Sequence, residues 1–226
     1  MEMDKLVIKK YFFASALAVL LLTGCASKPD KTDFNEESSG FLLNYDLLKP
    51  IESPEDFQVY TYVNPEMNKE DYFAAIVEPV FIYEGALEDD NLTQEQIEDA
   101  RRGLTQGLRT IIKNKYTLTN TAGPGVFRVR TAITGALLEK EGLKPWNIIP
   151  VSAAITLAAH ASGNESKKPV LIVELLITDS VSNELIAEIL TISSGENFRR
   201  LSNTSDEFED LAQKWVEKAM QHTKQK

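Results

Sequence analysis

The sequence predicts an α+β domain in which a single mostly antiparallel sheet carries two long amphipathic helices on one face. Three observations support this class. Strand-like segments follow one another along the chain, a long amphipathic helix precedes most of them, and a second helix comes after them. With 43% hydrophobic residues overall, the roughly 200 residues that follow the N-terminal segment suffice for one packed domain.

The strands are marked by alternation of apolar and polar residues, or by an unbroken apolar run. Residues 57–63 (FQVYTYV) and 126–135 (VFRVRTAITG) alternate, which predicts two half-buried strands. Residues 170–178 (VLIVELLIT) are almost all apolar, which predicts a central strand buried on both faces. After a turn, residues 185–193 return as the hairpin partner of this strand.

Three further segments contribute less regular structure. Residues 73–83 (FAAIVEPVFIY) predict a strand in which Pro79 indicates an edge position, a bulge or a break, because proline cannot donate to the ladder. Residues 116–120 predict a short strand. Residues 41–48 (FLLNYDLL) begin the ordered part, and their aliphatic and aromatic side chains are expected to cap the core.

Two helices are predicted, over residues 92–115 and 204–221, because each begins with a capping box and carries an apolar stripe at helical spacing. Gly103 and Gly107 lie four residues apart in the first helix. They indicate close approach of another backbone or, equally, tolerated surface glycines. Residues 147–161 are apolar and rich in small residues, and helix is favoured there over strand.

The N-terminal residues predict an export signal. Three lysines in the first ten residues precede an apolar run at residues 11–22, which is shorter than the roughly 20 residues of a membrane-spanning helix but suits a secretory signal. The following Leu22-Thr23-Gly24-Cys25 resembles the lipobox of bacterial lipoproteins. That resemblance implies that residues 1–24 are a lipoprotein signal peptide and that Cys25 is lipidated.

The mature chain then divides into two parts. Residues 25–40 comprise Cys25 and a flexible tether, because the tether is charged and nearly free of large apolar residues. Residues 41–226 form a single globular α+β domain. In sorted lipoproteins an aspartate after the lipidated cysteine commonly means retention in the inner membrane, so Ala26 implies the outer membrane, facing the periplasm. This assumes a Gram-negative host, and the inner membrane is the alternative.

Charge and cysteine content limit the partners. The formal net charge of −10 repels phosphate backbones, so no nucleic acid partner is expected. A negatively charged domain is also not attracted to anionic lipids, so we expect the chain to bind the membrane through the lipid on Cys25. Several acyl chains on that residue would give a stable anchor. An envelope protein partner, for example a cationic one, is compatible with this charge. Cys25 is the only cysteine, which excludes internal disulfides and cysteine metal clusters.

The ordered set of motifs resembles the bacterial lipoprotein family catalogued as domain of unknown function 3313, over essentially all of the mature chain. The resemblance implies the fold and the location, and it carries no established activity. Ser182-Asn183 stands where a Thr-Gly turn is expected, and asparagine tolerates the positive φ of such a turn. The motifs are Gly40-Phe41-Leu42 with Tyr45 and Leu48, Tyr62-Val63-Asn64-Pro65, Glu78-Pro79-Val80, Gly123-Pro124-Gly125-Val126, Arg128-Val129-Arg130, Pro150-Val151, Asp179-Ser180 and Trp215.

The residues that could carry chemistry do not form a catalytic or metal-binding set. His160 lies in an Ala-rich stretch, and no G-x-S-x-G elbow is present. The acids between residues 84 and 99 match no calcium loop, and they are favoured before a helix in any case. Glu78 and Glu174 could form a general acid–base pair, but they more readily face solvent or pair with the arginines at 128 and 130. No catalytic, cofactor-binding or metal-binding residue is therefore predicted, and no cofactor.

The expected function is that of a membrane-anchored envelope lipoprotein whose domain is a non-enzymatic interaction or assembly module. Two alternatives remain. One is a small-ligand or lipid carrier in the periplasm, with residues 148–161 lining an apolar pocket. The other is a hydrolase that uses His160, which is the weakest of the three because no activated nucleophile accompanies it.

Overall fold

The computed structural model describes residues 38–54, 56–84, 86, 93–140, 167–196 and 204–224. The signal peptide, Cys25, most of the tether, His160 and residues 147–161 lie outside the described residues. The described helices and strands are β1 (Lys49–Ile51), β2 (Phe57–Val63), β3 (Ala74–Val77), β4 (Phe81–Ile82), α1 (Gln94–Lys113), β5 (Thr117–Leu118), β6 (Val126–Lys140), β7 (Lys167–Asp179), β8 (Leu185–Ser194) and α2 (Thr204–Lys224).

The strands form one sheet in the order β1-β2-β8-β7-β6-β3-β5, and β4 also pairs with β6. The α+β class is confirmed, but the expectation of a mostly antiparallel sheet is wrong, because the sheet is mixed. The pairs from β1 to β6 are antiparallel, whereas β3 and β4 run parallel to β6, and β5 runs parallel to β3. Parallel neighbours need a crossover connection. The helix α1, which lies between β4 and β5 in the chain, is part of that connection.

The strand predicted around Pro79 is broken there, as expected. β3 ends at Val77, opposite Val129, and β4 begins at Phe81, opposite Ala132, so both halves pair with β6. The side chains of α1 bond to the backbone groups that the break releases. Arg109 donates to the Val77 carbonyl at 3.1 Å, Arg101 donates to the Val80 carbonyl at 2.9 Å, and Thr105 accepts from the Val80 N–H at 3.0 Å.

The sheet separates two buried layers, and the central strand β7 contributes to both. Leu171, Val173 and Leu175 pack with apolar residues of α1 and α2. On the opposite side, alternate residues such as Val170 and Ile172 pack with the segment that precedes β1. The prediction that this strand is buried on both faces is confirmed, since all five side chains are at most 5% exposed.

The hairpin between β7 and β8 turns as the sequence predicts. Asn183 adopts a φ of +60°, which an asparagine tolerates better than most residues do. Asp179 accepts hydrogen bonds from the N–H groups of Val181 at 2.9 Å and Ser182 at 2.8 Å. These bonds close the turn and set the register in which β8 returns along β7.

The two glycines of α1 lie where this helix meets α2. A Cβ atom placed on Gly107 would overlap the side chain of Val216, with Val216 Cγ1 only 2.7 Å away, so this glycine permits the close approach. A Cβ atom on Gly103 would lie 3.9 Å from Ala212 Cβ, which is an ordinary contact. The predicted close approach is thus found at Gly107, but the close neighbour is the side chain of Val216 rather than another backbone.

We expect Gly107→Ala to lower the free energy of unfolding by about 1 kcal/mol, because overpacking at the helix crossing outweighs the gain in helix propensity. Gly103→Ala is the matched control, and it should leave stability unchanged or raise it by up to about 1 kcal/mol. Urea unfolding followed by circular dichroism measures both. Equal changes in the free energy of unfolding of the two variants would contradict the conclusion that the helices make their close contact at Gly107.

Candidate functional site

The candidate site lies on the sheet face opposite the helices, beneath residues 39–48, which we call the strap. The strap comprises the last two residues of the predicted tether and the first eight residues of the predicted domain. Its four buried side chains pack on apolar residues of β6, β7 and β8. The ring of Phe41 also meets the edges of two other rings, and the guanidinium carbon of Arg130 lies 5.6 Å from its centroid. The four buried strap residues are Phe41, Leu42, Tyr45 and Leu48.

Glu174 of β7 points into this layer and is fully buried. Three hydroxyl groups donate to its carboxylate. Tyr45 Oη is 2.6 Å from Oε2, Thr134 Oγ1 is 2.9 Å from Oε1, and Ser39 Oγ is 3.0 Å from each oxygen. Two of the three hydroxyls belong to the strap, so this buried carboxylate ties the strap to the centre of the sheet.

The hydroxyls in turn accept hydrogen bonds from the backbone of the strap. The Phe41 N–H donates to Ser39 Oγ at 3.1 Å, and the Leu42 N–H donates to Tyr45 Oη at 3.1 Å. Each of these two strap hydroxyls therefore links a backbone amide to the carboxylate of Glu174. Hydrogen bonds joined in this way polarise and strengthen one another in a buried setting.

Glu188 of β8 is the second fully buried carboxyl group beneath the strap. Its Oε1 accepts from the N–H groups of Leu43 at 2.5 Å and Asn44 at 3.2 Å. Among the described residues, no donor lies within hydrogen-bonding distance of its Oε2. Glu188 is opposite Leu176, and Glu174 is opposite Leu190. The two glutamates, hereafter the carboxylate pair, are thus diagonal neighbours on one face of the sheet.

Burial is the main reason that the pKa of Glu174 is raised above its ordinary value, and the negative charge of Glu188 adds to this effect. The hydroxyls of Tyr45, Thr134 and Ser39 act in the opposite direction, because they stabilise the ionised form. Burial also raises the pKa of Tyr45, and the charge of Glu174 raises it further. Tyr45 therefore keeps its proton and remains a hydrogen-bond donor.

The structure separates the two acidic residues that the sequence suggested as an acid–base pair. Glu78 forms an ion pair with Arg128 at 2.8 Å and a longer one with Arg130 at 3.8 Å, as the alternative interpretation expected. The same interpretation is wrong for Glu174, whose partners are hydroxyl groups of the strap and of β6. The reason is that the strap covers Glu174 and excludes solvent, while both arginines lie against Glu78 instead.

Sequence reasoning missed four members of the site. These are Ser39, Tyr45, Thr134 and Glu188. A signal for Glu188 was present, since each strand of the predicted hairpin holds one glutamate inside an apolar run, and the register places both on the same face. No comparable signal identified the hydroxyl residues, because they come from the strap and from a different strand.

Two other features, a metal-binding group and a membrane-spanning helix, are not found in the part of the chain that the structure describes. Within those ranges, no three His, Cys, Asp or Glu side chains are grouped so that they could hold a metal ion. Of the helices described, none is long and apolar enough to cross a membrane. The predicted lipidation site Cys25, His160 and the proposed pocket at residues 148–161 lie outside these ranges.

Comparison with known proteins gives a family and a relative. A family model described as "Protein of unknown function (DUF3313)" matches residues 37–219. The uncharacterized lipoprotein YdcL of Escherichia coli K12 is 27% identical over 200 residues, which cover 88% of each chain.

Solved structures show weaker likeness. The PelC dodecamer of Paraburkholderia phytofirmans is 11% identical with a TM-score of 0.34, covering 70% of this chain and 96% of that chain. A minor lipoprotein of Acinetobacter baumannii is 13% identical with a TM-score of 0.32, covering 67% of this chain and 95% of that chain.

Proposed function

This chain belongs to the family of proteins of unknown function DUF3313, and on that premise we propose that it is a lipid-anchored envelope lipoprotein whose domain is a non-enzymatic interaction or assembly module. The lipobox-like sequence ending at Cys25 supports the anchor. The similarity to YdcL, which is itself described as a lipoprotein, supports it independently. Ala26 favours the outer membrane, facing the periplasm, over retention in the inner membrane.

The observation that carries this proposal is the docking of the strap on the carboxylate pair. A lipid at Cys25 connects to the domain through the tether, and the tether meets the domain at Ser39, which bonds to Glu174 in the middle of the sheet. The strap is therefore docked on the sheet next to the tether by a set of buried and half-buried contacts. Such an attachment suits a module that presents one surface to a partner from a membrane.

The same geometry argues against a catalytic role for the buried acids. A general acid or base must lie within hydrogen-bond reach of a substrate. Both oxygens of Glu174 and one oxygen of Glu188 are bonded to the protein's own donors, and both side chains are fully buried. We therefore assign these residues the role of holding the strap.

The test uses photo-crosslinking in intact cells that express the full chain. A photoreactive residue is placed in turn at Leu43, Val63, Phe73 and Val181, which are exposed to similar extents of 61–66%. We expect a discrete protein adduct at some of these positions and none at the others, which maps the partner-binding surface. The four positions thus serve as controls for one another, because they differ in place rather than in exposure.

Intact mass measurement of the membrane-extracted protein tests the anchor in the same cells. We expect a chain that begins at Cys25 and carries acyl groups. Absence of adducts at all four positions would contradict the interaction module. A free thiol on an uncleaved chain would contradict the lipoprotein assignment itself.

A further inference from the structure

We propose that the carboxylate pair is a proton-dependent docking site for the strap: with a proton bound, the pair holds residues 39–48 against the sheet, and loss of that proton makes the strap open more often. The proposal rests on the proposed function, because the strap joins the domain to its lipid anchor. It adds a regulatory property to that attachment.

The first argument is the cost of two buried charges side by side. Ionised carboxylates are rarely fully buried without a cation, and two that are close together cannot both ionise easily. Glu174 and Glu188 are both fully buried on one face of the sheet. A proton on Glu174 removes this repulsion.

The second argument is the unequal bonding of the four oxygens. Both oxygens of Glu174 and Oε1 of Glu188 accept hydrogen bonds, while Glu188 Oε2 has no donor among the described residues. An ionised oxygen without a donor in a buried layer is unfavourable. Because no donor offsets the charge at this oxygen, the repulsion between Glu188 and Glu174 is not relieved locally, and a proton on Glu174 relieves it.

The third argument excludes a neighbouring cation as the neutralising group. Two arginines of β6 lie on this face, but Arg128 is paired with Glu78, and Arg130 lies over the ring of Phe41 and near Glu78. Within the described residues, neither arginine hydrogen-bonds to the pair. The titratable groups packed in the same layer are tyrosines of the strap, of β2 and of the residue after β4, namely Tyr45, Tyr60, Tyr62 and Tyr83.

The direction of the effect follows from proton linkage. The pKa of Glu174 is raised from 4.5 in the docked state, and an opened strap would let water return it towards that ordinary value. Opening therefore releases a proton to solvent whenever the pH lies between the two values. The proton's contribution to docking is fully present at pH values below the ordinary pKa of Glu174. It is lost as the pH rises through the raised pKa of the docked state.

The apolar side chains of the strap keep the docked form dominant at every pH, so the change appears in the frequency of opening. Each opening would release residues 39–48, so that about 22 residues rather than about 12 separate the anchor from the docked part of the domain. The root-mean-square reach from the anchor would then rise from roughly 19 Å to roughly 26 Å. A partner that binds the open form would gain apparent affinity in proportion to its population.

Hydrogen–deuterium exchange of the full-length lipidated chain in nanodiscs tests the proposal. The amides of Leu43 and Asn44, which donate to Glu188, report on strap opening. After correction for intrinsic exchange, we expect their opening constant to rise about tenfold per pH unit above the ordinary glutamate pKa and then to level off. In the double variant Glu174→Gln/Glu188→Gln, which keeps acceptor oxygens but cannot ionise, the opening constant should not change with pH.

The control is Glu184→Gln, which removes an exposed carboxylate in the β7–β8 turn and should retain the pH dependence of the wild type. A wild-type opening constant that does not change with pH would overturn the proposal, as would a double variant with the wild-type slope. Melting curves of each variant verify folding. Both outcomes are independent of whether a partner is captured by crosslinking, so failure here and failure of the proposed function are distinguishable.

Discussion

Replacing Cys25 by serine is expected to release the protein from the membrane completely. A buried methylene contributes about 0.8 kcal/mol, so a single acyl chain binds only marginally, whereas several chains on one residue bind essentially permanently. Serine cannot form the thioether that carries the first lipid, and the formal net charge of −10 offers no attraction to anionic headgroups. Membrane pelleting after an alkaline wash, followed by intact mass measurement, records the loss of lipid and of membrane association.

Two matched variants separate anchoring from sorting. Ser27→Ala changes the residue two positions after the lipidation site and should leave both lipid and location unchanged. Ala26→Asp should keep the lipid but move the protein from the outer to the inner membrane in a Gram-negative host. If Cys25→Ser pelleted with the wild type after the same wash, the anchor would have to lie elsewhere in the chain.

Tyr45→Phe is expected to lower the free energy of unfolding by about 2–3 kcal/mol. The change removes the hydroxyl that donates to Glu174 at 2.6 Å, and it leaves the N–H of Leu42 without its acceptor. A hydrogen bond contributes about 0.5–1.5 kcal/mol to a neutral partner and about 1.5–3 kcal/mol to a charged one, and a buried unsatisfied donor costs about 1–3 kcal/mol. Urea unfolding followed by near-ultraviolet circular dichroism measures the loss.

Tyr72→Phe is the matched control, because it also removes a hydroxyl that donates to a carboxylate, at 3.2 Å from Asp179 Oδ2. Asp179 keeps the backbone donors Val181 and Ser182 after this change, so we expect a loss below about 1 kcal/mol. Equal losses in the two variants would mean that Tyr45 contributes only as an apolar side chain. The strap would then not depend on the carboxylate pair.

Local patterns predicted most of the elements. Residues 57–63 form β2 with the predicted bounds, and Pro79 interrupts the next strand because proline lacks the donor that a ladder needs. A helix is observed where one was predicted over residues 92–115, with bounds Gln94–Lys113. Propensity, periodicity and capping act over a few residues, so a single sequence contains the information for each of these elements.

The direction of the strands was not predictable in the same way. Nothing local distinguishes a strand that pairs parallel to β6 from one that pairs antiparallel, because side-chain alternation is identical in both. The decision depends on the crossover made by α1 between β4 and β5. That is a property of the connection and the packing of the helix, so the mixed sheet became visible only in the folded chain.

The sequence by itself predicted the export signal, the lipid-carrying cysteine, the tether and the α+β class, since each depends on composition or short-range order, and the structure confirms the α+β class. Only the tertiary structure determined the burial and the hydrogen-bond partners of the two acids. Glu174 looked like a solvent-facing or arginine-paired residue until folding brought Ser39 and Tyr45 over it, across more than 120 positions of sequence. Burial and hydrogen bonding between distant segments are consequences of packing, and they turn two ordinary glutamates into the place where the anchored strap is held.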